Sequence, residues 1–403
     1  MDDNRIIPET TKETNGLVMI QIYMLKAGKG DFFWLRYGDT NQCLHNILID
    51  GGNKKSKRDR QKHGDEYFSI LQYLYKNQQR VDTIVFTHID NDHIGGALQA
   101  IERSKELPGI GRIIWNTGEI AADLIDIESR IHSEHISFPE DTDISRLNIL
   151  PSTAGRCSVS NAGSLLEFFE SRGLKNKICG AIQGECIPLE ERAVIKVISP
   201  DKKGLEHFLR EWNKEWPVRK SGGKCSSPES LNQKDLSVLC NEDFVKKDNS
   251  PTNQSSIAFL FEYKGFRIVF MGDAYPDVCM KGLKLHYSGP VDVDLLKLSH
   301  HGSEGNFSNS LCKQFRSDCF MLSTNGKGGK PSKHTIAGLF QMDGSIRLYC
   351  NYPWWETKHT YFSTEDKDEY INSGKIKLIE LNEKPVVIKD GLILYGKIDT
   401  SIV

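Results

Sequence analysis

Apolar positions along the chain fall into short runs separated by turn residues. Leu17–Leu25 is a nearly unbroken apolar run and predicts a strand. Gly28-Lys29-Gly30-Asp31 predicts a turn, Phe32–Tyr37 a second strand, and Asn46–Asp50 a third that ends on a carboxylate followed by Gly51-Gly52. Strands joined by such short connections are expected to pair antiparallel. Tyr67, Ile70, Leu71, Leu74 and Tyr75 recur at helical spacing. Val81–Phe86 has the pattern of a buried strand, and Ile94–Leu98 reads as the start of a helix. Gly111–Trp115 predicts a strand, Ser164–Phe169 a helix, and Ala193–Ser199 a strand halted by Pro200. The second half repeats the logic of the first: Ser256–Phe261 and Phe266–Met271 flank a Tyr-Lys-Gly turn, a hairpin signal, and Asp294–Ser299 and Cys319–Ser323 follow as strands.

Between these elements the pattern loosens. Residues 1–16 are polar and read as a flexible arm. Residues 120–160 and 201–250 read as insertions into a main domain spanning 17–345, the first a possible lid. The second insertion carries Trp212 and Trp216 among mixed charges: either an aromatic and basic platform for a phosphate-rich ligand, or an amphipathic helix and loop with tryptophans packed on the core, the favoured reading. Residues 346–403 read as a small β-rich C-terminal extension. Any protein partner would meet 120–160, 201–250 or that extension.

The chain has 403 residues, 38% of them hydrophobic and 26% charged, which suits a globular protein with a large core. Its formal net charge of −2 excludes a general polycation, so any site for a polyanion must be a local patch. Lys54–Lys62 is such a patch, with six basic residues against Asp59. It follows the strand ending at Asp50, which places Lys54, Lys55, Lys57 and Arg58 as candidate substrate contacts; a solvated loop is the alternative. The ten cysteines form no Cys-x-x-Cys pair, and no apolar run approaches membrane-spanning length. A cytoplasmic location with free thiols, away from any membrane, is expected.

The candidate chemistry lies at His88-Ile89-Asp90-Asn91-Asp92-His93. These two imidazoles and two carboxylates occupy six residues directly after a predicted strand and before a predicted helix. Side chains at a strand-to-helix turn converge on one point, and neutral imidazole plus carboxylate is a ligand set for a divalent transition metal. Ligand-type residues recur at other predicted strand ends: Asp50, Asp273, His300 and His334. His334, beside a strand end, is a candidate substrate contact.

These residues resemble the metallo-β-lactamase superfamily, and within it the hydrolase domain of bacterial DNA-uptake competence proteins. The resemblance rests on His88-x-Asp90-x-Asp92-His93, Gly28-Lys29-Gly30-Asp31, Ile47-Leu48-Ile49-Asp50-Gly51-Gly52, Met271-Gly272-Asp273 and Lys297-Leu298-Ser299-His300-His301-Gly302-Ser303, in the family's order. It implies a four-layer αββα sandwich of the α/β class with one or two divalent metal ions, zinc or manganese, at the sheet edge. By position it implies that His88 and Asp90 hold the first metal, Asp92 and His93 the second, and Asp273 both. One of His300 and His301 is a second-site ligand, with His301 favoured; the other meets the substrate phosphate or orients its neighbour. Many family members have a histidine just before the Ser256 strand. Here Asn253 is the best substitute, and an amide oxygen is a weaker ligand. Asp50 either supports the site by hydrogen bonds or caps a turn.

The resemblance also implies hydrolysis, most plausibly of phosphodiesters; Asp92 is the candidate general base, His300 a candidate partner of the phosphoryl group and Ser303 a candidate substrate contact, while Lys297 either assists from the strand before His300 or is a solvated strand-end lysine. A nucleic acid or small nucleotide is the expected substrate. Two other functions remain open: hydrolysis of a non-nucleotide ester such as a lactone, thioester or phosphocholine-like ester, and a non-catalytic binding or effector subunit that keeps its metal.

Overall fold

A computed structural model of the chain describes residues 19–39, 44–133, 157–213, 234–241, 247–340, 344–357, 361–382, 384–389 and 392–395. The expected arm at 1–16, Trp216, and parts of both expected insertions lie outside these residues.

Two eight-stranded mixed sheets form the centre. The first contains β1 (Met19–Met24), β2 (Phe32–Gly38), β3 (His45–Asp50), β4 (Val81–Phe86), β5 (Ile110–Trp115) and β6 (Ile178–Cys179). The second contains β7 (Cys186–Pro188), β8 (Val194–Ser199), β9 (Ala258–Tyr263) and β10 (Phe266–Phe270). A small pair, β11 (Val291–Asp292) and β13 (Phe315–Arg316), flanks β12 (Leu295–Lys297) and β14 (Cys319–Leu322) of the second sheet. The chain ends with β15 (Ile346–Cys350), β16 (Ile376–Glu380), β17 (Val386–Lys389) and β18 (Leu392–Tyr395). The sheet orders are β18-β17-β1-β2-β3-β4-β5-β6 and β16-β15-β14-β12-β10-β9-β8-β7.

Alternation along the strands builds the layers, because successive side chains point to opposite faces. Ile47 and Ile49 of β3 join Phe259, Phe261 and Ile268 in a core between the sheets. Leu48, between them in sequence, faces an outer core with Tyr67, Ile70 and Leu74 of the helix Glu66–Lys76 and Ile94 and Ala97 of the helix Asn91–Arg103. On the far side Leu260, Val269 and Phe320 pack with Cys279 and Leu283 of the helix Pro276–His286. Both faces of each sheet are covered, so its strands read as continuous apolar runs. The result is the helix–sheet–sheet–helix sandwich that the resemblance implied.

Three boundaries differ from expectation. Helix Gly118–Ser133 occupies the start of the first expected insertion and buries Ala121 in the outer core. In the second, the helix Lys202–Trp212 packs Phe208 and Trp212 into that core, the plainer of the two readings for this tryptophan. The C-terminal segment is not a separate extension: β15 and β16 continue the second sheet from β14, and β17 pairs with β1 of the first. Alternation in a short window shows that strands exist but not which sheet they join. No described helix is long and apolar enough to cross a membrane, and Cys179, Cys186, Cys240, Cys279, Cys312, Cys319 and Cys350 are free thiols.

Candidate metal centre

The ends of β3, β4, β10, β12 and β14 lie along one edge of the sandwich. At the end of β3, Asp50 has a left-handed backbone, φ 56°. Its carboxylate accepts from the Thr87 amide (2.8 Å) and hydroxyl (2.8 Å), and its Oδ2 is 2.8 Å from His93 Nδ1. Asp50 thus joins Thr87 and His93 through hydrogen bonds. With Nδ1 so engaged, His93 directs Nε2 the other way, 3.4 Å from Asp273 Oδ1. The helix Asn91–Arg103 fixes His93 at its first turn, where the Gly51 amide donates to the His93 carbonyl.

Asp273 is the hub. Its Oδ1 lies 3.4 Å from His93 Nε2 and 3.7 Å from His301 Nε2. Its Oδ2 lies 3.8 Å from His88 Nε2 and 3.4 Å from His300 Nε2. Asp90 Oδ2 is 3.8 Å from His88 Nε2, and Asp92 Oδ2 is 3.9 Å from His301 Nε2. One carboxylate therefore separates a His88, Asp90 and His300 side from an Asp92, His93 and His301 side.

The paired histidines reach the hub through an unusual backbone. His300 (φ 47°) and His301 (φ 56°) are both left-handed, a conformation that costs energy and persists where surrounding structure enforces it. The His300 amide donates to the Gly272 carbonyl, and His301 Nδ1 is 3.1 Å from the Ser323 carbonyl oxygen, which turns Nε2 inward.

The chemistry of these atoms fits a metal. His88 Nε2, His93 Nε2, His301 Nε2 and Asp273 Oδ1 are buried and make no hydrogen bond within the described residues. Buried polar atoms almost always have a partner, so four such atoms around one point form a ligand set. Sets of three close enough for one ion include His88, His93 and Asp273, and Asp92, His93 and His301. Burial holds the pKa of His88 and His301 below the ordinary histidine range, which leaves lone pairs for coordination. Burial acts the same way on His93, but Asp273 and Asp50 outweigh it and hold its pKa well above that range. Burial alone would raise Asp273; His300, His93 and His301 outweigh it and keep the carboxylate ionised.

The remaining candidates are placed less uniformly. Asn253 donates through Nδ2 to Asp248 Oδ2 at 2.7 Å, and its buried Oδ1 makes no hydrogen bond within the described residues. Lys297 departs from its expected role near substrate. It is 1% exposed, pairs with Asp31 and donates to the Gly272 carbonyl, because a strand-end ammonium inside the sandwich must find anionic and carbonyl partners. His334 faces Glu304, with Nδ1 3.4 Å from its Oε2. Ser303 follows the histidine pair, its amide donating to the His300 carbonyl. The basic cluster divides: Lys54 and Lys55 line a cavity, whereas Lys57 and Arg58 are exposed on the helix Lys57–His63, which Ser56 caps.

Sequence reasoning passed over several contributors. Asp31 lies 3.3 Å from His301 Nδ1; its Gly-Lys-Gly-Asp turn was visible, but its role was not. Asp248 lies 3.1 Å from His300 Nδ1 and, helped by that contact against its own burial, has its pKa held to about 2. Asn306 Oδ1 is 2.7 Å from the same nitrogen. Burial lowers the Lys330 pKa, and Asp273 and Asp92 are close enough to oppose it. These residues stand in irregular segments with no periodicity to mark them.

Residues 43–119 match the family model of the metallo-beta-lactamase superfamily. That stretch holds Asp50 and the His88–His93 turn; Asp273 and the histidine pair lie beyond it. With the four-layer sandwich of mixed sheets, the match assigns the metallo-β-lactamase fold. Comparison with curated proteins finds no match. Among solved structures, the chain is similar to a candidate metal-dependent hydrolase from Parabacteroides distasonis, at 12% identity and a TM-score of 0.35, covering 91% of this chain and 94% of that one. It is also similar to a long-form RNase Z from yeast, at 10% identity and a TM-score of 0.32, covering 77% of this chain and 37% of that one.

Proposed function

We propose that this chain is a metal-dependent hydrolase of phosphodiesters, a phosphodiesterase or nuclease. The observation that carries the reading is the convergence of His88, His93 and His301 Nε2 atoms on the Asp273 carboxylate. His88, Asp90 and Asp273 would hold one divalent ion, and Asp92, His93, Asp273 and His301 a second. A bound zinc or manganese ion supplies Lewis-acid polarisation of a phosphoryl oxygen and lowers the pKa of a water molecule.

The protein's own groups do the rest. Asp50 holds His93 Nδ1 and thereby fixes which nitrogen faces the centre. Asp92, partly exposed like Asp90, would take a proton from attacking water. His300, partly exposed and anchored by Asn306 and Asp248, would meet charge developing on the phosphoryl group. The preference for phosphodiesters is supported by Lys330 beside the acids, by lysines around the mouth of the site, and by the resemblance to DNA-uptake hydrolase domains.

Metal content by mass spectrometry, with turnover of bis(p-nitrophenyl) phosphate, cyclic nucleotides, DNA and RNA, tests the reading. Bound zinc or manganese that is lost in Asp273→Ala, together with phosphodiester cleavage, is expected. Cleavage of lactones or thioesters with no phosphodiester turned over would overturn it. Stoichiometric metal with no turnover at all would favour a metal-holding binding module instead.

A further inference from the structure

A cavity of about 730 Å³ opens at the Gly28–Lys29 turn and the segment after β3, in the size range of sites that hold small organic ligands. Lys26, Lys29, Lys54, Lys55 and Lys327 line it, with Asp59 as the carboxylate on the lining. Lys55 is committed to Glu66, whereas Lys29, Lys54 and Lys327 are exposed. In a chain of net charge −2 this density of ammonium groups is a local feature and not a by-product of overall basicity.

The cavity wall is held in place by bonds from distant parts of the chain. The Gly28 amide donates to the Tyr352 hydroxyl (3.0 Å), and the Lys29 amide to Asn53 Oδ1 (2.8 Å). The Lys327 amide donates to Asn325 Oδ1 (3.1 Å). The same wall continues into the metal centre. Gly30, next to Lys29, packs against the Asp92 carbonyl so closely that no side chain fits. Ser323 donates to the Gly30 carbonyl at 2.7 Å, while its own carbonyl oxygen lies beside His301 Nδ1. A second cavity, of about 450 Å³, includes Asp248 in its lining, but there Lys247 and Lys313 are balanced by Asp248 and Asp277. Only the first of these two favours an anion.

We infer that this lysine-lined cavity is a subsite for a flanking nucleotide of the substrate strand. Its phosphate would lie among Lys29, Lys54 and Lys327, with Tyr352 beside the rest of the unit. The inference rests on the phosphodiester reading and adds where the uncleaved part of the substrate is held. It also separates Lys54 from Lys57 and Arg58, which do not line the cavity.

Binding of a fluorescein-labelled, cleavage-resistant phosphorothioate oligonucleotide to the full-length, metal-replete protein tests it, read as anisotropy over a range of salt. Lys29→Ala/Lys327→Ala should weaken binding about tenfold and lower the slope of log K against log salt by about 0.7, the loss of one single-strand phosphate contact. Lys29→Arg/Lys327→Arg should retain most of the affinity, and Lys203→Ala, an exposed lysine on the helix Lys202–Trp212, should change neither quantity. Unchanged affinity and slope in the double alanine variant with an unaltered thermal melt would overturn the subsite, as would an equal loss in Lys203→Ala. Turnover of bis(p-nitrophenyl) phosphate by the unaltered protein reports on the hydrolase reading alone, so the two can fail separately.

Discussion

Asp50 shows how much of the site one residue can organise. It touches no other ligand candidate than His93, yet it sets that imidazole's orientation and ties the Thr87 backbone beside His88. Outer partners of metal-bound histidines are worth about 10–100-fold in metal affinity. Asp50→Asn should lower affinity for zinc or manganese within that range, measured by competition with a chelating dye, with little loss of secondary structure by circular dichroism. The charge on His93 leads to a second expectation. Burial alone would lower its pKa, but Asp273 and Asp50 hold it well above the ordinary histidine range, and coordination requires the neutral ring. Metal affinity should therefore rise with pH until His93 has lost its proton. Calorimetry in buffers of different ionisation enthalpy should register proton release as the site holding His93 fills. A count of zero would contradict the assignment of His93.

At the level of elements, the site depends on a turn and a helix start that meet without space between them. The turn Gly28–Asp31 brings Gly30 against the Asp92 backbone, and the strand end Gly51-Gly52 bonds the start of the helix Asn91–Arg103 at the His93 carbonyl and the Gly96 amide. A methyl group on Gly30 would overlap the Asp92 carbonyl oxygen, which as backbone cannot swing aside. Gly30→Ala should therefore cost about 3 kcal/mol, the upper part of the usual range for overpacking, read by urea denaturation. It should also weaken metal binding, because the helix start that carries Asp92 and His93 must shift. The neighbouring Asp31 has a different task. Its pairing with Lys297 neutralises two buried charges beneath His301, which explains why a lysine that looked available in the sequence is turned away from substrate.

For the whole molecule, the last strands complete both sheets. β17 covers the edge of β1, and β15 and β16 cover the edge of β14, next to the Ser323 turn that holds His301. A chain ended at residue 345 would expose both edges and remove Tyr349, Val386 and Ile388 from the core between the sheets. Such a truncation should yield aggregated or unfolded protein, checked by size-exclusion chromatography and circular dichroism; a monomeric, metal-binding product would show that this segment is dispensable. The sequence by itself determined most of the long central strands, since each is an apolar run bounded by turn residues, and the His88–Asp92–His93 cluster, since a strand-to-helix turn gathers neighbours in sequence. Asp50, Asp273 and the histidine pair were marked as strand-end residues, and the resemblance gave Asp273 and the pair their expected roles. Only the tertiary structure decided which of these meet, that Asp248, Asn306 and Lys330 join them, that Lys297 turns inward, and that the final strands belong to the two sheets. Local pattern records the face a residue presents, whereas pairing between strands hundreds of residues apart leaves no periodic trace in either partner.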